Sequence, residues 1–111
     1  MKDALAFQNL DVYVVAKELA VLVHRAKIAD AELRDQAGRA SKSAFLQLAE
    51  GLPNEGIAMR RKYFVCARNS VCEVAAAIDL ALAIEAIDAA SAREAIALCV
   101  RMCAMVSRLL R

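Results

Sequence analysis

Apolar residues recur at three- and four-residue steps in four successive segments of the chain, with polar turn residues between them. That period puts each apolar set on one face of a helix. In the first segment the stripe is Val12, Val15, Leu19, Leu22 and Ala26, which predicts a helix over 11–28 capped by Asn9 or Asp11. Lys17, Glu18 and Arg25 fall off the stripe, and the single histidine, His24, lies at its edge as a surface residue. The second stripe, Leu33, Ala37, Ala40, Ala44 and Leu48, predicts a helix over 31–50. Asp30 is its expected cap, and Glu32 complements the positive end of its dipole. Gly51 is expected to end it, ahead of the strongest turn signals in the chain, Leu52 to Gly56.

The third stripe runs through Phe64, Ala67, Val71, Val74, Ile78 and Ala81 and predicts a helix over 57–86, ending at Ile84 or Ala86. Its first half is basic, and its second half is apolar almost all the way round. Ser91 and Glu94 have the spacing of a capping box, which predicts a fourth helix over 92–110. That helix carries two stripes: Ile96, Cys99, Cys103, Val106 and Leu110, and beside it Leu98, Met102, Met105 and Leu109. A helix at the edge of a monomeric bundle buries one stripe, so the second predicts a subunit interface. Four helices joined by short turns predict an all-α, antiparallel up-down-up-down four-helix bundle. It occupies 1–111 as a single domain and assembles into a homo-oligomer.

Composition narrows the partners. Fifteen basic against thirteen acidic residues leave a net charge of +2, a weak overall attraction for polyanions. Two tyrosines, three phenylalanines and no tryptophan offer little surface for stacking on bases or sugars. The opening MKDALAFQNLDVY has no apolar stretch followed by a small-residue cleavage site, so the expected compartment is the cytoplasm. The most apolar windows, 74–84 and 95–110, are broken by Asp79 and by Arg101 and Arg108. Neither reaches the roughly 20 apolar residues of a membrane span. Cys66, Cys72, Cys99 and Cys103 read as reduced, small core residues.

Candidate chemistry is sparse. Residues equidistant from the turn between the second and third helices should lie level, which sets Arg39 near Glu73, Ser43 near Arg68 and Ser70, and Glu50 near Arg60 or Arg61. With Gln36, these residues make either a site or a polar seam that fixes helix register. The seam is the better reading, with Arg39 and Glu73 as an interfacial ion pair. Cys99 and Cys103 lie one turn apart but have no histidine partner and no CxxC, so no metal site is expected. No Glu-x-x-His pair, phosphate-binding glycine loop or catalytic triad occurs, so neither a cofactor nor a catalytic residue is assigned and the chain does not read as an enzyme. The best candidate for a nucleic-acid contact is the cluster Arg60, Arg61, Lys62 and Arg68, joined by Arg101 and Arg108 on the fourth helix, whose end Arg111 also makes basic. One subunit would bind phosphates weakly, and a ring of subunits would multiply the effect.

The opening Phe7, Leu10, Val12, the core Gln36, Arg39, Ala40, Ser43, Leu48, Ala49, Glu50, Gly51, and the later Phe64, Ala67, Ser70, Glu73 together resemble the 23S rRNA intervening-sequence proteins. Tyr13 stands where a tryptophan is usual in that family, and Gln47 where an asparagine is common. The resemblance implies a cytosolic, non-enzymatic four-helix bundle, often a homopentamer, encoded within intervening sequences of bacterial 23S rRNA genes or elsewhere. A similar bundle is the accessory protein of diversity-generating retroelements, where a basic pentamer works with a reverse transcriptase and RNA. Two readings follow: an oligomeric scaffold for RNA, DNA or a nucleic-acid enzyme, and a self-assembling protein-interaction module with no nucleic-acid role.

Overall fold

The computed structural model describes residues 5–111, which form a short 3-10 turn (Ala6–Asn9) and four helices: α1 (Asp11–Arg25), α2 (Ala31–Gly51), α3 (Ile57–Ala83) and α4 (Ala89–Leu109). No strand occurs among the described residues. The apolar stripes account for the helices themselves, and local backbone chemistry accounts for where each begins and ends.

Leu10 occupies the extended position before α1 and makes no side-chain cap, so neither Asn9 nor Asp11 caps this helix. Asp11 instead sits in the first turn, where its carboxylate faces the positive end of the dipole. The helix stops at Arg25 rather than continuing to Ile28, because Lys27 adopts a left-handed φ of 52° that turns the chain. Ile28 is thereby delivered into the core, only 1% exposed. Its carbonyl accepts from Arg34 Nη1 at 3.2 Å, and the next amide, Ala29, donates to the carbonyl of Ala86 at 2.7 Å. The α1–α2 and α3–α4 connections are therefore tied together at one end of the molecule.

Asp30 caps α2 as its sequence position predicts, accepting from the Leu33 amide at 2.9 Å. Gly51 plays a different part from the one expected. It is the last helical residue and has no left-handed φ. A Cβ there would come within 2.8 and 2.9 Å of the Phe64 ring and 3.0 Å of Tyr63 Cβ. Glycine is required at this position so that α3 can approach the backbone of α2.

At the far end of α3, Glu85 takes a φ of 61° and donates from its amide to Leu82 at 3.1 Å, while the Ala86 amide donates to Ala81 at 2.8 Å. This pair of bonds is a Schellman motif, and it ends the helix at Ala83. The next helix starts earlier than the Ser91–Glu94 pattern predicts. Asp88 is the cap and accepts from the Ser91 amide at 2.9 Å, so Ser91 lies inside α4 as a donor. The hydrogen bonds from Ser91 hold the Asp88 carboxyl below its usual range.

Each helix packs on its neighbours in sequence, and α1 also packs on α4, with the α2–α3 interface the most extensive. Ala37, Ala40 and Ala44 bury small surfaces that admit the large side chains of α3, Phe64, Val71, Val74 and Ile78, all fully buried. Helix α4 differs from expectation. Leu98 and Met102 of its second stripe are buried beside Cys99 and Val106 of its first, with Met105 and Leu109 packed against the same core. Lying between α1 and α3, α4 uses both stripes within the chain, so its second stripe is not a free interface. Exposed large apolar residues lie elsewhere, among them Ile57 and Met59 at the start of α3, Leu80, Leu82 and Ile84 at its end, Val14 and Val21 on α1, Leu46 on α2 and Val100 on α4. No described helix is long and apolar enough to cross a membrane.

Two outcomes follow from these ends and contacts. Gly51→Ala should lower stability by about 1–3 kcal/mol in urea unfolding, the usual cost of overpacking against a buried ring that cannot swing away. The Asp88 carboxylate should stabilise α4 at full strength above the ordinary carboxylate range, and its effect should fade as pH falls through its lowered folded value. Acid unfolding of wild type against Asp88→Asn should therefore differ in pH dependence only below about pH 5.

Candidate functional site

The seam between α2 and α3 is held by one hydroxyl pair. Ser43 and Ser70 meet at 3.0 Å between Oγ atoms, Ser70 buried and Ser43 half-buried. Their level position agrees with the pairing expected across the turn. The remaining seam residues behave as surface groups. Arg39 Nη2 donates to Gln36 Oε1 at 3.4 Å on the same helix, and Arg39, Gln36 and Glu73 are all exposed. The expected Arg39–Glu73 ion pair is not formed, because both side chains leave the outer edges of their helices, where water solvates them better than a partner would. Gln36 and Glu73 line a shallow depression of about 270 Å³ with Leu33, Ala76, Ala77 and Leu80.

Glu50 is exposed, and its expected partners point elsewhere. Arg60 Nη1 donates to the carbonyl of Leu52, the C-cap of α2, at 2.7 Å, and its guanidinium lies 4.9 Å over the Phe64 ring. Arg61 Nη1 donates to the carbonyl of Leu110, the C-cap of α4, at 2.8 Å. Arg68 does not face Ser43 and instead reaches across to Ser107 Oγ at 3.3 Å. Arg60 and Arg61 thus satisfy carbonyls that helix ends leave without partners, as Arg34 does for Ile28 after α1. Each guanidinium commits one of its five N–H donors to such a carbonyl.

The basic residues therefore collect around a depression of about 260 Å³ lined by Ile57, Arg60, Arg61, Phe64, Leu109, Leu110 and Arg111. Arg111, at the basic end of α4, belongs to this group, and packing of that end beside the start of α3 brings it there. Lys62 and Arg108 are exposed and flank the group in sequence, and Arg68 is half-buried against α4. Arg101, also exposed, lies seven residues before Arg108 and does not line the depression. A second, larger groove of about 510 Å³ runs between α1 and α4, lined by Val14, Lys17, Glu18, Val21, Leu22, Arg25, Glu94 and Leu98.

The cysteines divide by environment. Only Cys99 is a core residue; Cys72 is exposed, Cys66 and Cys103 are half-buried, and none is paired. The uniform core role expected for them fails because Cys72 projects from the outer side of the α3–α4 contact. Burial, with the Cys72 and Cys103 thiols nearby, pushes the Cys99 thiol up to about 12. Among the described residues no three His, Cys, Asp or Glu side chains form a group that could hold a metal ion.

Fold and surface together define a four-helix bundle whose chemistry is a basic helix-end cluster and a serine-linked seam. The family described as 23S rRNA-intervening sequence protein matches residues 8–108, and the chain belongs to that family. No curated protein is significantly similar to it.

A double-mutant cycle on Ser43→Ala and Ser70→Ala should show coupling of about 1 kcal/mol, the typical net value of a hydrogen bond. The same cycle on Arg39→Ala and Glu73→Ala should show none. Coupling at the second pair and not the first would reverse this assignment of the seam.

Proposed function

We propose that the chain is a cytoplasmic, non-catalytic, antiparallel four-helix bundle that assembles into a homo-oligomeric ring and contacts RNA, DNA or a nucleic-acid enzyme through its basic helix ends. The observation that carries this reading is the gathering of Arg60, Arg61 and Arg111 at the start of α3. The first turn of α3 holds no acidic residue, and its N-cap, Gly56, makes no side-chain bond, so the dipole adds to the positive charge there. Guanidiniums anchored on backbone carbonyls are held in fixed orientations, which reduces the ordering needed when a phosphate arrives.

The antiparallel sense is supported by the cross-helix bonds: Arg61 meets Leu110 whereas Arg68, further along α3, meets Ser107, earlier on α4. Assembly is supported by the apolar residues left outside the core. Leu80 on α3 and Ile84 at its C-cap are 52% and 51% exposed, and Val14 and Val21 are 39% and 41% exposed on α1. Helices α1 and α3 are not neighbours in the bundle, so these patches face different ways. Two unlike patches on one subunit suit head-to-tail contacts, which close into a ring when the rotation allows. Five copies is the number the family resemblance suggests.

The alternative is a self-assembling interaction module without a nucleic-acid role. It is favoured by the fact that Arg60, Arg61 and Arg68 each already bond to a group of their own chain.

Binding to an RNA or DNA oligonucleotide should weaken steeply as salt rises, and Lys62→Ala or Arg108→Ala should each lower the log–log salt slope by about 1. Indifference to both nucleic acids at low salt would leave the alternative standing. Light scattering should find a species several times 12.0 kDa, and Leu80→Glu with Ile84→Glu should reduce it to the single chain. A monomeric wild type would remove assembly from the proposal.

A further inference from the structure

We propose that the outer face of α2 around Gly38 is a second contact for a nucleic-acid phosphate backbone, apart from the helix-end cluster; it rests on the reading above that the chain binds RNA or DNA. Gly38 lies inside α2, where glycine weakens a helix relative to alanine. Two features within the chain could require glycine there, and neither is present. Gly38 has no left-handed φ, and a Cβ at this position would meet nothing within 4 Å. Gly51 on the same helix is the contrast, since its Cβ would strike the Phe64 ring. What remains is the close approach of a group from outside the chain to the helix backbone.

The surrounding side chains define that group. Two depressions, of about 340 and 250 Å³, meet at Gly38. Arg34, Gly38 and Lys42 follow one another at four-residue steps on one face, about 6 Å apart along the axis. Arg39 stands beside them, and His24 of α1 lines the second depression. All four of these side chains are exposed. Arg34 is steadied by its bond to the Ile28 carbonyl at 3.2 Å and Arg39 by Gln36 at 3.4 Å, and each guanidinium keeps further donors. Asp35 is the one acid lining either depression, so Arg34, Arg39 and Lys42 face a single carboxylate and the balance favours an anion.

The spacing narrows the anion further. Arg34 and Lys42 are about 12 Å apart along the axis, a span that suits a chain of phosphates rather than one. No phenylalanine or tyrosine lines either depression, so stacking on bases contributes little and the contact is with the backbone. Glycine supplies the clearance: with no side chain between Arg34 and Lys42, a phosphate settles on the helix surface while cations close on it from both ends. Gly38 lies about 20 Å along α2 from Gly51, which separates this face from the cluster at the start of α3.

The test follows binding of a fluorescein-labelled RNA oligonucleotide and its DNA counterpart across a range of salt concentrations. Lys42→Ala should lower the log–log salt slope by about 1, and Asp35→Asn should tighten binding. Gly38→Leu changes no charge, yet should lower the slope at least as much as Lys42→Ala, because its side chain holds the phosphates off the face. Its far-ultraviolet circular dichroism should match wild type, and Gly38→Ala should raise the midpoint of urea unfolding. Binding that depends on Lys62 and Arg108 but is unchanged by Gly38→Leu would overturn this site and leave the helix-end reading intact. Absence of wild-type binding at low salt would remove both. A smaller species for Gly38→Leu in light scattering would make the face a contact between copies, and a lowered urea midpoint for Gly38→Ala would make the glycine a requirement of the fold. Either result would also overturn the proposal.

Discussion

The close approach of α2 and α3 is the constraint on which the rest of the structure depends. It is made possible by small residues, Ala37, Ala40, Ala44 and Gly51, all buried on the facing side of α2. Phe64 lies against Gly51 so tightly that even a methyl group has no room. Once α3 is seated, its position supports the other elements. Arg61 and Arg68 reach from it to the end of α4, and the Ala29–Ala86 bond ties the connection after it to the connection after α1. The Ser43–Ser70 pair sits in the same interface and satisfies two hydroxyls at modest net energy. Its value is chiefly in register, since a slipped α3 would leave both groups without partners.

The arginines serve two demands at once. A helix leaves its last carbonyls without partners, and here side chains from neighbouring segments supply them. Arg60 does so for Leu52, Arg61 for Leu110 and Arg34 for Ile28. The bonds of Arg60 and Arg61 gather positive charge at the start of α3, so the surface proposed for nucleic acid is a by-product of how helix ends are finished. A charge cluster of this kind is oriented by the fold rather than carried on free side chains. Substitutions within it therefore act on stability as well as on the proposed binding, whereas Lys62 and Arg108 report on charge alone.

Parts of the seam were readable because the α2–α3 connection is short. Counting outward from it sets Ser43 level with Ser70, and short side chains must face each other to meet at all. The same counting misassigned Arg39 and Arg68, whose side chains span more than a helical turn and choose among several acceptors. Arg39 turned to Gln36 on its own helix, and Arg68 to Ser107 on the opposite side of α3. Rotation of a helix about its axis decides such choices, and no spacing rule records it. The second stripe of α4 misled for a related reason: its exposure depends on how far α1 wraps beside it.

By itself the sequence determined the four helices, their apolar faces and the Asp30 cap, because three- and four-residue periodicity and capping preferences are local properties, and its residues over 8–108 carry the match to the family. Tertiary structure decided the rest. Lys27 and Glu85 adopt left-handed backbone so that Ile28 and Ala86 can take up contacts with other parts of the chain. Gly51 is needed for a neighbour's ring rather than for its own turn. In each case the deciding atoms belong to residues far apart in the chain, and their encounter is set by the core as a whole.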